Sequence, residues 1–348
     1  MKVKKSIFVG GVEIGGAADI SVQSMTNTDT RDVKATLDQI ARLHEAGCDI
    51  VRVAVPDMEA AEALREIRRG CPIPLVADIH FDYRLALAAA EAGVDKLRIN
   101  PGNIGSPDRV RAVAEACRAR GIPIRVGVNS GSIEKPILAK YGTATPEAMV
   151  ESALGHVRLL EEVDFTDICI SMKAADVPTT IAAYRLLDEA CDYPIHLGVT
   201  HAGTPRFGVL KAAAGIGGLL AMGIGNTLRV SLTADPVREI EAGRDILRAV
   251  GRLQDGPEFI CCPTCGRCRV DIEGLATELE QRLAHIRKPI KIAVMGCAVN
   301  GPGEARECDI GVAGGKGEGL IFRKGEILYK KPMAELADEL CRLVEEMV

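Results

Sequence analysis

The sequence predicts an α/β protein in two parts: an N-terminal (β/α)8 TIM-type barrel and a smaller C-terminal α/β unit built around clustered cysteines. Three observations carry that expectation. Apolar strand-like runs alternate with amphipathic helical patterns eight times over roughly 230 residues, the length and rhythm of a closed barrel. The alternation stops near Leu253–Glu258 (LQDGPE), the candidate linker. Beyond it, half of the chain's 12 cysteines fall between residues 261 and 308.

The elements follow in order. Ser6–Gly16 (SIFVGGVEIGG) predicts a small hairpin around Gly10-Gly11. Strands are expected at Ser21–Met25, Ile50–Val55, Leu75–Ile79, Lys96–Asn100, Ile124–Val128, Asp167–Met172, Ile195–Val199 and Thr227–Leu232. Between them the helical period places Val33–Ala46, Met58–Arg68, Tyr83–Ala92, Pro107–Arg120, Pro146–Glu161 and Val177–Cys191, with further helices at Pro205–Met222 and Asp235–Val250. Gly47, Gly93 and Gly121 fall just past helix ends, where a left-handed C-cap needs glycine. A doubly wound open sheet is the competing arrangement. It usually carries GxGxxG after its first strand, and that motif does not occur there. The connection Asn129–Thr145 is long for a barrel, and two outcomes are open for it: a cover over the mouth or a plain surface loop.

Composition narrows the function class. A chain of 348 residues with 47% hydrophobic content has ample material for a core. It offers no uninterrupted apolar run of about 18 residues, so no membrane span is expected. The N-terminus MKVKKSIFVGG shows no export signal. With clustered, unevenly spaced cysteines, that points to the reducing cytoplasm and to metal ligation rather than disulfides. A net charge of −5 and only 3% aromatic residues give no reason to expect nucleic acid.

Barrel chemistry belongs at the C-terminal strand ends. Those ends carry Arg52, Asp78 and His80, Arg98 and Asn100, Arg125 and Asn129, Ser171 and Lys173, Thr200 and His201, then Arg229 and Ser231. Burying a lone cation is expensive, so five of them on one rim point to an anion with several oxygens, above all a phosphate or diphosphate. The plainer possibility is that each pairs with a nearby carboxylate, although Asp78 is the single acid in these motifs. His80 by itself is more often a hydrogen-bonded structural histidine than a catalyst.

In the second part a helix is expected at Ile272–His285, strands at Ile290–Met295 and Ile310–Ala313, a hairpin over LIFRKGEILYK, and a last helix at Pro332–Met347. FICCPTCGRCR packs Cys261, Cys262, Cys265 and Cys268 into eight residues, and Cys297 and Cys308 follow in a second node. Cys262, Cys265 and Cys268 imitate the start of a ferredoxin run, with Cys297 as a fourth thiolate. Zinc on Cys262, Cys265, Cys297 and Cys308 fits the spacing nearly as well. The glycine- and proline-bearing loop around Cys297 favours iron–sulfur, because it brings backbone N–H groups to cluster sulfides. Cys261 or Cys308 could instead be simply buried, and Cys48, Cys71, Cys117, Cys169, Cys191 and Cys341 read as small buried hydrophobes.

Taken together, SVQSMTNTDT, VRVAVP, ADIHFD, LRINPGNIG, RVGVNSGS, SMKAAD, LGVTHAG, LRVSLTADP, CPTCGR and MGCAVNGPGEA resemble the 4-hydroxy-3-methylbut-2-enyl diphosphate synthases, nearly end to end. The resemblance implies a TIM-type barrel over 1–254 that binds the diphosphate and a C-terminal α/β iron–sulfur domain over 255–348. It implies a [4Fe–4S] cluster held by Cys262, Cys265, Cys297 and Glu304, so that Cys268 gives way to Glu304. An oxygen ligand binds iron more weakly than a thiolate and leaves one iron able to open. The implied substrate is 2-C-methyl-D-erythritol 2,4-cyclodiphosphate, bound by Arg52, Arg98, Asn100, Arg125, Asn129, Ser171, Lys173, Thr200, Arg229 and Ser231. Glu304, His201, Asp78 and His80 are the implied catalytic residues, the last two as ligand-orienting or proton-handling groups. The implied partners are a flavodoxin or ferredoxin as electron donor and a second copy of the chain in a head-to-tail homodimer. Two departures stand out: His201 replaces the glutamate of GVTEAG, and Asn226 stands where Asp is expected. A protonated histidine can still donate a proton. The alternative function is a non-redox barrel enzyme on a phosphorylated ligand, with a structural zinc domain.

Overall fold

The computed structural model describes residues 3–200, 203–268, 270–297, 303 and 305–348. They form two compact units, Met1–Arg252 and Leu253–Val348.

In the first unit the hairpin β1 (Ile7–Val9) and β2 (Val12–Ile14) precedes eight parallel strands. These are β3 (Ser21–Met25), β4 (Ile50–Ala54), β5 (Leu75–Asp78), β6 (Lys96–Ile99), β7 (Ile124–Asn129), β8 (Ile168–Lys173), β9 (His196–Leu197) and β10 (Thr227–Leu228). They pair in the order β8-β7-β6-β5-β4-β3-β10-β9. The ring is completed by one parallel bridge between Ile170 and Ile195, where Ile170 N–H donates to the Pro194 carbonyl at 2.9 Å. The expected closed barrel is therefore present, with its last two strands shortened to two residues each. Ile7, Val9 and Ile14 of the hairpin pack on Ile50, Val76 and Cys169, which lie early in their strands. The hairpin thus seals the N-terminal end of the barrel and leaves the C-terminal end for chemistry.

The helices begin where their caps dictate. Asp32, Asp57, Asp82, Thr145, Asp176 and Asp235 each accept a first-turn N–H. The expected single helix over Pro205–Met222 instead breaks into Pro205–Ala212, a π-turn at Ala213–Gly217 and Gly218–Ala221. Gly215 allows the close packing there, since a Cβ would sit 2.7 Å from a Val199 methyl. The long connection after β7 contains a helix, Lys135–Tyr141, tied to the Pro146–Glu161 helix by Lys140 Nζ to Glu151 at 2.6 Å and Tyr141 OH to Glu151 at 2.7 Å.

The second unit is a five-stranded sheet: β11 (Pro257–Cys261), β12 (Ile290–Met295), β13 (Ile310–Ala313), β14 (Glu318–Arg323) and β15 (Glu326–Pro332). The first three run parallel, the last two antiparallel. Along β12, Ile292 and Val294 face the helices Ile272–Leu283 and Leu336–Met347, while Ala293 and Met295 face the opposite layer with Ala305 and Cys308. The segment expected to be linker thus ends in a strand: Pro257 and Glu258 already belong to β11. No described helix is long and apolar enough to cross a membrane.

Candidate active site and cysteine centre

Strand alternation puts every second side chain on the barrel axis. Asp78, Arg98 and Arg125 are direct register partners on successive strands, Arg52 and Ser171 lie two residues out of that register on the flanking strands, and all five are buried. Asp78 bridges two of the cations, with Oδ1 at 3.1 Å from Arg98 and Oδ2 at 3.8 Å from Arg52. Burial pushes its pKa up, but Arg52 and Arg98 outweigh burial and hold it at about 2. With that pKa Asp78 is a carboxylate at neutral pH, held between two buried guanidiniums.

Arg229 has a carboxylate of its own. Glu239, buried in the first turn of the Pro236–Ala249 helix, accepts from Arg229 Nε at 3.1 Å, Ser24 Oγ at 3.1 Å and Leu232 N–H at 3.0 Å. Asp78 is the single acid of the strand-end motifs, and the second carboxylate, Glu239, comes from the following helix. Arg52 also donates to the Met25 sulfur at 3.2 Å.

Arg125 and Lys173 are different. Arg125 reaches Ser171 Oγ at 3.3 Å through Nη1, while its Nε and Nη2 are buried without a partner among the described residues. Burial, then the neighbouring Arg98, pull its pKa down to about 10. Lys173 is lowered too, by burial first and then by Arg52, Arg229, Arg125 and Arg98. Neither has a carboxylate partner among the described residues. The plainer possibility, a nearby carboxylate for each cation, thus holds for Arg52, Arg98 and Arg229 only, and the first two share Asp78.

Asn100 is buried, and its Oδ1 accepts from Gly102 N–H at 3.1 Å. Asn129, Thr200 and Ser231 are half-buried, and His80 is exposed beside Phe81, with ring centroids 6.1 Å apart. His201 lies outside the described residues.

Deeper in the barrel are residues the strand-end reading passed over. Lys96 and His196 are fully buried, and their side-chain nitrogens have no hydrogen-bond partner among the described residues. Burial is the first cause that lowers Lys96, to about 7, opposed by the Cys169 thiol and reinforced by Arg125 and Arg52. A usable signal existed: Lys96 precedes Arg98 by two residues, so both share a face.

In the second unit the two cysteine nodes meet because β11 and β12 are adjacent and parallel, so both nodes leave the same sheet end. Cys262 N–H donates to the Val294 carbonyl at 3.2 Å, and Gly296 N–H donates to Cys262 Sγ at 3.0 Å. Gly296 must be glycine, because a Cβ would lie 2.6 Å from Cys268 Sγ and 3.5 Å from Cys262 Sγ. Cys265 is exposed, and the N–H of Arg267 lowers its thiol pKa. Cys268 Sγ donates to the Val270 carbonyl at 3.2 Å and packs on the helical core. Cys261 is exposed and Cys308 buried. Among the described residues no three Cys, His, Asp or Glu side chains form a metal-holding group, and Glu304 lies outside them. The donor chemistry nevertheless suits an iron–sulfur centre: soft thiols, a thiol lowered by backbone N–H groups, and an N–H···S contact from a glycine. Of the scattered cysteines, Cys48, Cys71, Cys117, Cys169 and Cys341 are buried, and Cys191 is half-buried.

Comparison with known proteins agrees with this architecture. The family model of the GcpE TIM-barrel domain matches residues 4–244, and that of the GcpE protein C-terminal domain matches 258–346. The chain is 59% identical to the 4-hydroxy-3-methylbut-2-en-1-yl diphosphate synthase (flavodoxin) of Clostridium perfringens, over 99% of each chain. It is 60% identical to the Geobacter sulfurreducens protein of the same name, over 100% of this chain and 99% of that one. Among solved structures it resembles a truncated 3-deoxy-D-arabino-heptulosonate 7-phosphate synthase from Thermotoga maritima (TM-score 0.52, 15% identity, 72% of this chain and 92% of that one). It also resembles N-acetylneuraminic acid synthetase from Leptospira borgpetersenii (TM-score 0.51, 12% identity, 81% and 99%). At such identities these two speak for the barrel fold alone. Two domain matches and near-complete alignment at this identity place the chain in the GcpE family of 4-hydroxy-3-methylbut-2-en-1-yl diphosphate synthases.

Proposed function

We propose that the chain carries out the two-electron reductive ring opening of 2-C-methyl-D-erythritol 2,4-cyclodiphosphate to 4-hydroxy-3-methylbut-2-enyl diphosphate, with loss of the C3 hydroxyl as water. The observation that carries this reading is the cation surplus at the barrel mouth: five cations face two carboxylates, Asp78 and Glu239, and among the described residues Arg125 and Lys173 have no carboxylate partner. A diphosphate supplies the missing charge, and guanidinium forks match its oxygens. Asn100, Asn129, Ser171, Thr200 and Ser231 add neutral donors around it.

Cys262, Cys265 and Cys297, with Glu304, would hold a [4Fe–4S] cluster. When bound, it supplies single electrons and a Lewis-acidic iron. The chain's own contribution is electrostatic. The cationic rim orients the diphosphate, and Asp78 keeps two arginines pointed at it. His201 stands at the family's glutamate position and is assigned the proton donation there. The names of the relatives support electron delivery by a flavodoxin rather than a ferredoxin, and they favour this reading over a non-redox barrel with structural zinc. A head-to-tail homodimer would bring one copy's rim to the other's cysteine centre.

The test is anaerobic purification followed by metal analysis and turnover. Four irons per chain, negligible zinc and reductant-dependent conversion of the cyclic diphosphate are expected. Zinc in place of iron, or turnover without a reductant, refutes the reading.

A further inference from the structure

His156 lies outside every motif considered so far, yet it joins two parts of the barrel mouth. It is buried on the Pro146–Glu161 helix. Its Nδ1 accepts the Gly102 N–H at 3.1 Å, the same N–H that caps Asn100 Oδ1 at 3.1 Å. Its Nε2 lies 2.8 Å from Glu134 Oε1, close in distance but off the line of a straight hydrogen bond. Glu134 belongs to the long connection after β7, and its other oxygen accepts from Ser152 Oγ at 2.7 Å. Gly102 makes the approach possible: a Cβ there would fall 2.2 Å from His156 Cε1.

The tautomer follows from the partners. A backbone N–H can only donate, so Nδ1 must be bare, and the ring proton sits on Nε2 toward the Glu134 carboxylate. Protonating Nδ1 would set a donor against a donor. Burial disfavours the charged ring and Glu134 favours it, and burial prevails, lowering the pKa. Glu134 is the charged group acting on the ring from the connection, and the Pro101–Ile104 turn brings no ionisable side chain. The shared Gly102 N–H also fixes the Asn100 amide: with Oδ1 engaged, its Nδ2 hydrogens are the ones left for another acceptor.

We propose that His156, as the neutral Nε2–H tautomer, is a positioning residue that holds the Asn100 turn and the Asn129–Thr145 connection together at the diphosphate-binding mouth. The inference rests on reading that mouth as a diphosphate site. Positioning of this kind acts on affinity, because a loosened turn must be ordered again each time the anion binds.

The experiment uses full-length holoenzyme and 2-C-methyl-D-erythritol 2,4-cyclodiphosphate, with calorimetric affinity and steady-state kinetics from pH 5 to 8. His156→Ala is expected to weaken affinity and raise KM roughly tenfold, with kcat within about twofold. His156→Asn keeps an acceptor where Nδ1 was and is expected to recover most of the affinity. The wild type is expected to show a rise in KM on the acid side, where Nδ1 takes a proton and no longer accepts, and His156→Asn is expected to lack it. Should His156→Ala not fold, Glu134→Ala tests the same link from the connection and is expected to weaken affinity several-fold. Unchanged affinity in His156→Ala or Glu134→Ala, or His156→Asn binding no better than His156→Ala, overturns the proposal. If the wild type itself fails to bind the cyclic diphosphate, the reading of the mouth falls first.

Discussion

Gly127 on β7 leaves the space in which the Arg98 guanidinium of β6 lies. A Cβ at Gly127 would sit 2.5 Å from Arg98 Nε, and Arg98 Nη2 donates to the Gly127 carbonyl at 3.5 Å. Gly198 stands in the same relation to Lys173, with a Cβ 2.8 Å from Cε and 3.0 Å from Nζ. Gly127 within β7 and Gly198 just past β9 are thus the counterparts of two inward cations, since a densely packed barrel interior leaves little other room for them.

Gly127→Ala should therefore act on Arg98. The guanidinium is held by Asp78 at 3.1 Å, so it cannot swing aside without breaking that pair. Affinity for the cyclic diphosphate is expected to fall at least tenfold, with a stability loss of about 1–3 kcal/mol. Calorimetry on the variant checks both, and wild-type affinity would refute the close-approach argument.

Asp78→Asn removes one carboxylate from two buried arginines. Breaking a buried pair in this way costs about 3–5 kcal/mol. Because the loss is of negative charge, the cyclic diphosphate should raise the variant's Tm by more than it raises that of the wild type. The pH sign follows from the lowered pKa. The carboxylate's contribution is complete above the ordinary value of 3.8 and is lost as pH falls toward about 2. Acid unfolding curves of the two proteins should converge over that window.

Lys96→Met replaces a buried amine by an apolar chain of similar length. The folded protein lowers Lys96 from 10.5 to about 7, so the unfolded chain binds more protons between those values and stability rises with pH there. The substitution should then stabilise at pH 6, by about 1 kcal/mol or more. The gain should shrink toward pH 10. A gain independent of pH would mean that Lys96 titrates alike in the folded and unfolded chain, and would refute the lowered pKa.

Glu239→Gln keeps hydrogen-bonding capacity beside Arg229 but deletes its countercharge. We expect a stability loss of about 2 kcal/mol or more, and a KM increase, since Arg229 would lose its fixed orientation. Normal KM with normal Tm would show that the pair is dispensable.

Among the cysteines, Cys262→Ser should abolish iron binding, whereas Cys268→Ser should retain it, because Cys268 Sγ is engaged with the Val270 carbonyl and the helical core. Iron content and visible absorbance of anaerobically purified protein decide it. Loss of iron in Cys268→Ser would promote Cys268 to a ligand and remove the place reserved for Glu304.

Much of this architecture was legible in the sequence. Strand and helical period located nearly every element, and Gly47, Gly93 and Gly121 marked helix ends, because these are local rules. β12 and β13 were placed residue for residue. Alternation also told which strand residues face inward, so Arg52, Asp78, Arg98 and Arg125 could be named together. Short runs were the weak point: Pro257–Cys261 becomes a strand only because β12 lies alongside to pair with it.

What the sequence could not decide was which charges answer which. Glu239 reaches Arg229 from a helix that begins after the strand, and Asp78 serves two arginines because β5 lies between β4 and β6, with Arg98 directly opposite it and Arg52 two residues out of register. His156 meets Gly102 across 54 residues of chain. Residue types and local period are properties of the chain itself; ion pairing falls off within a few ångströms, and only the closed ring of strands sets those distances.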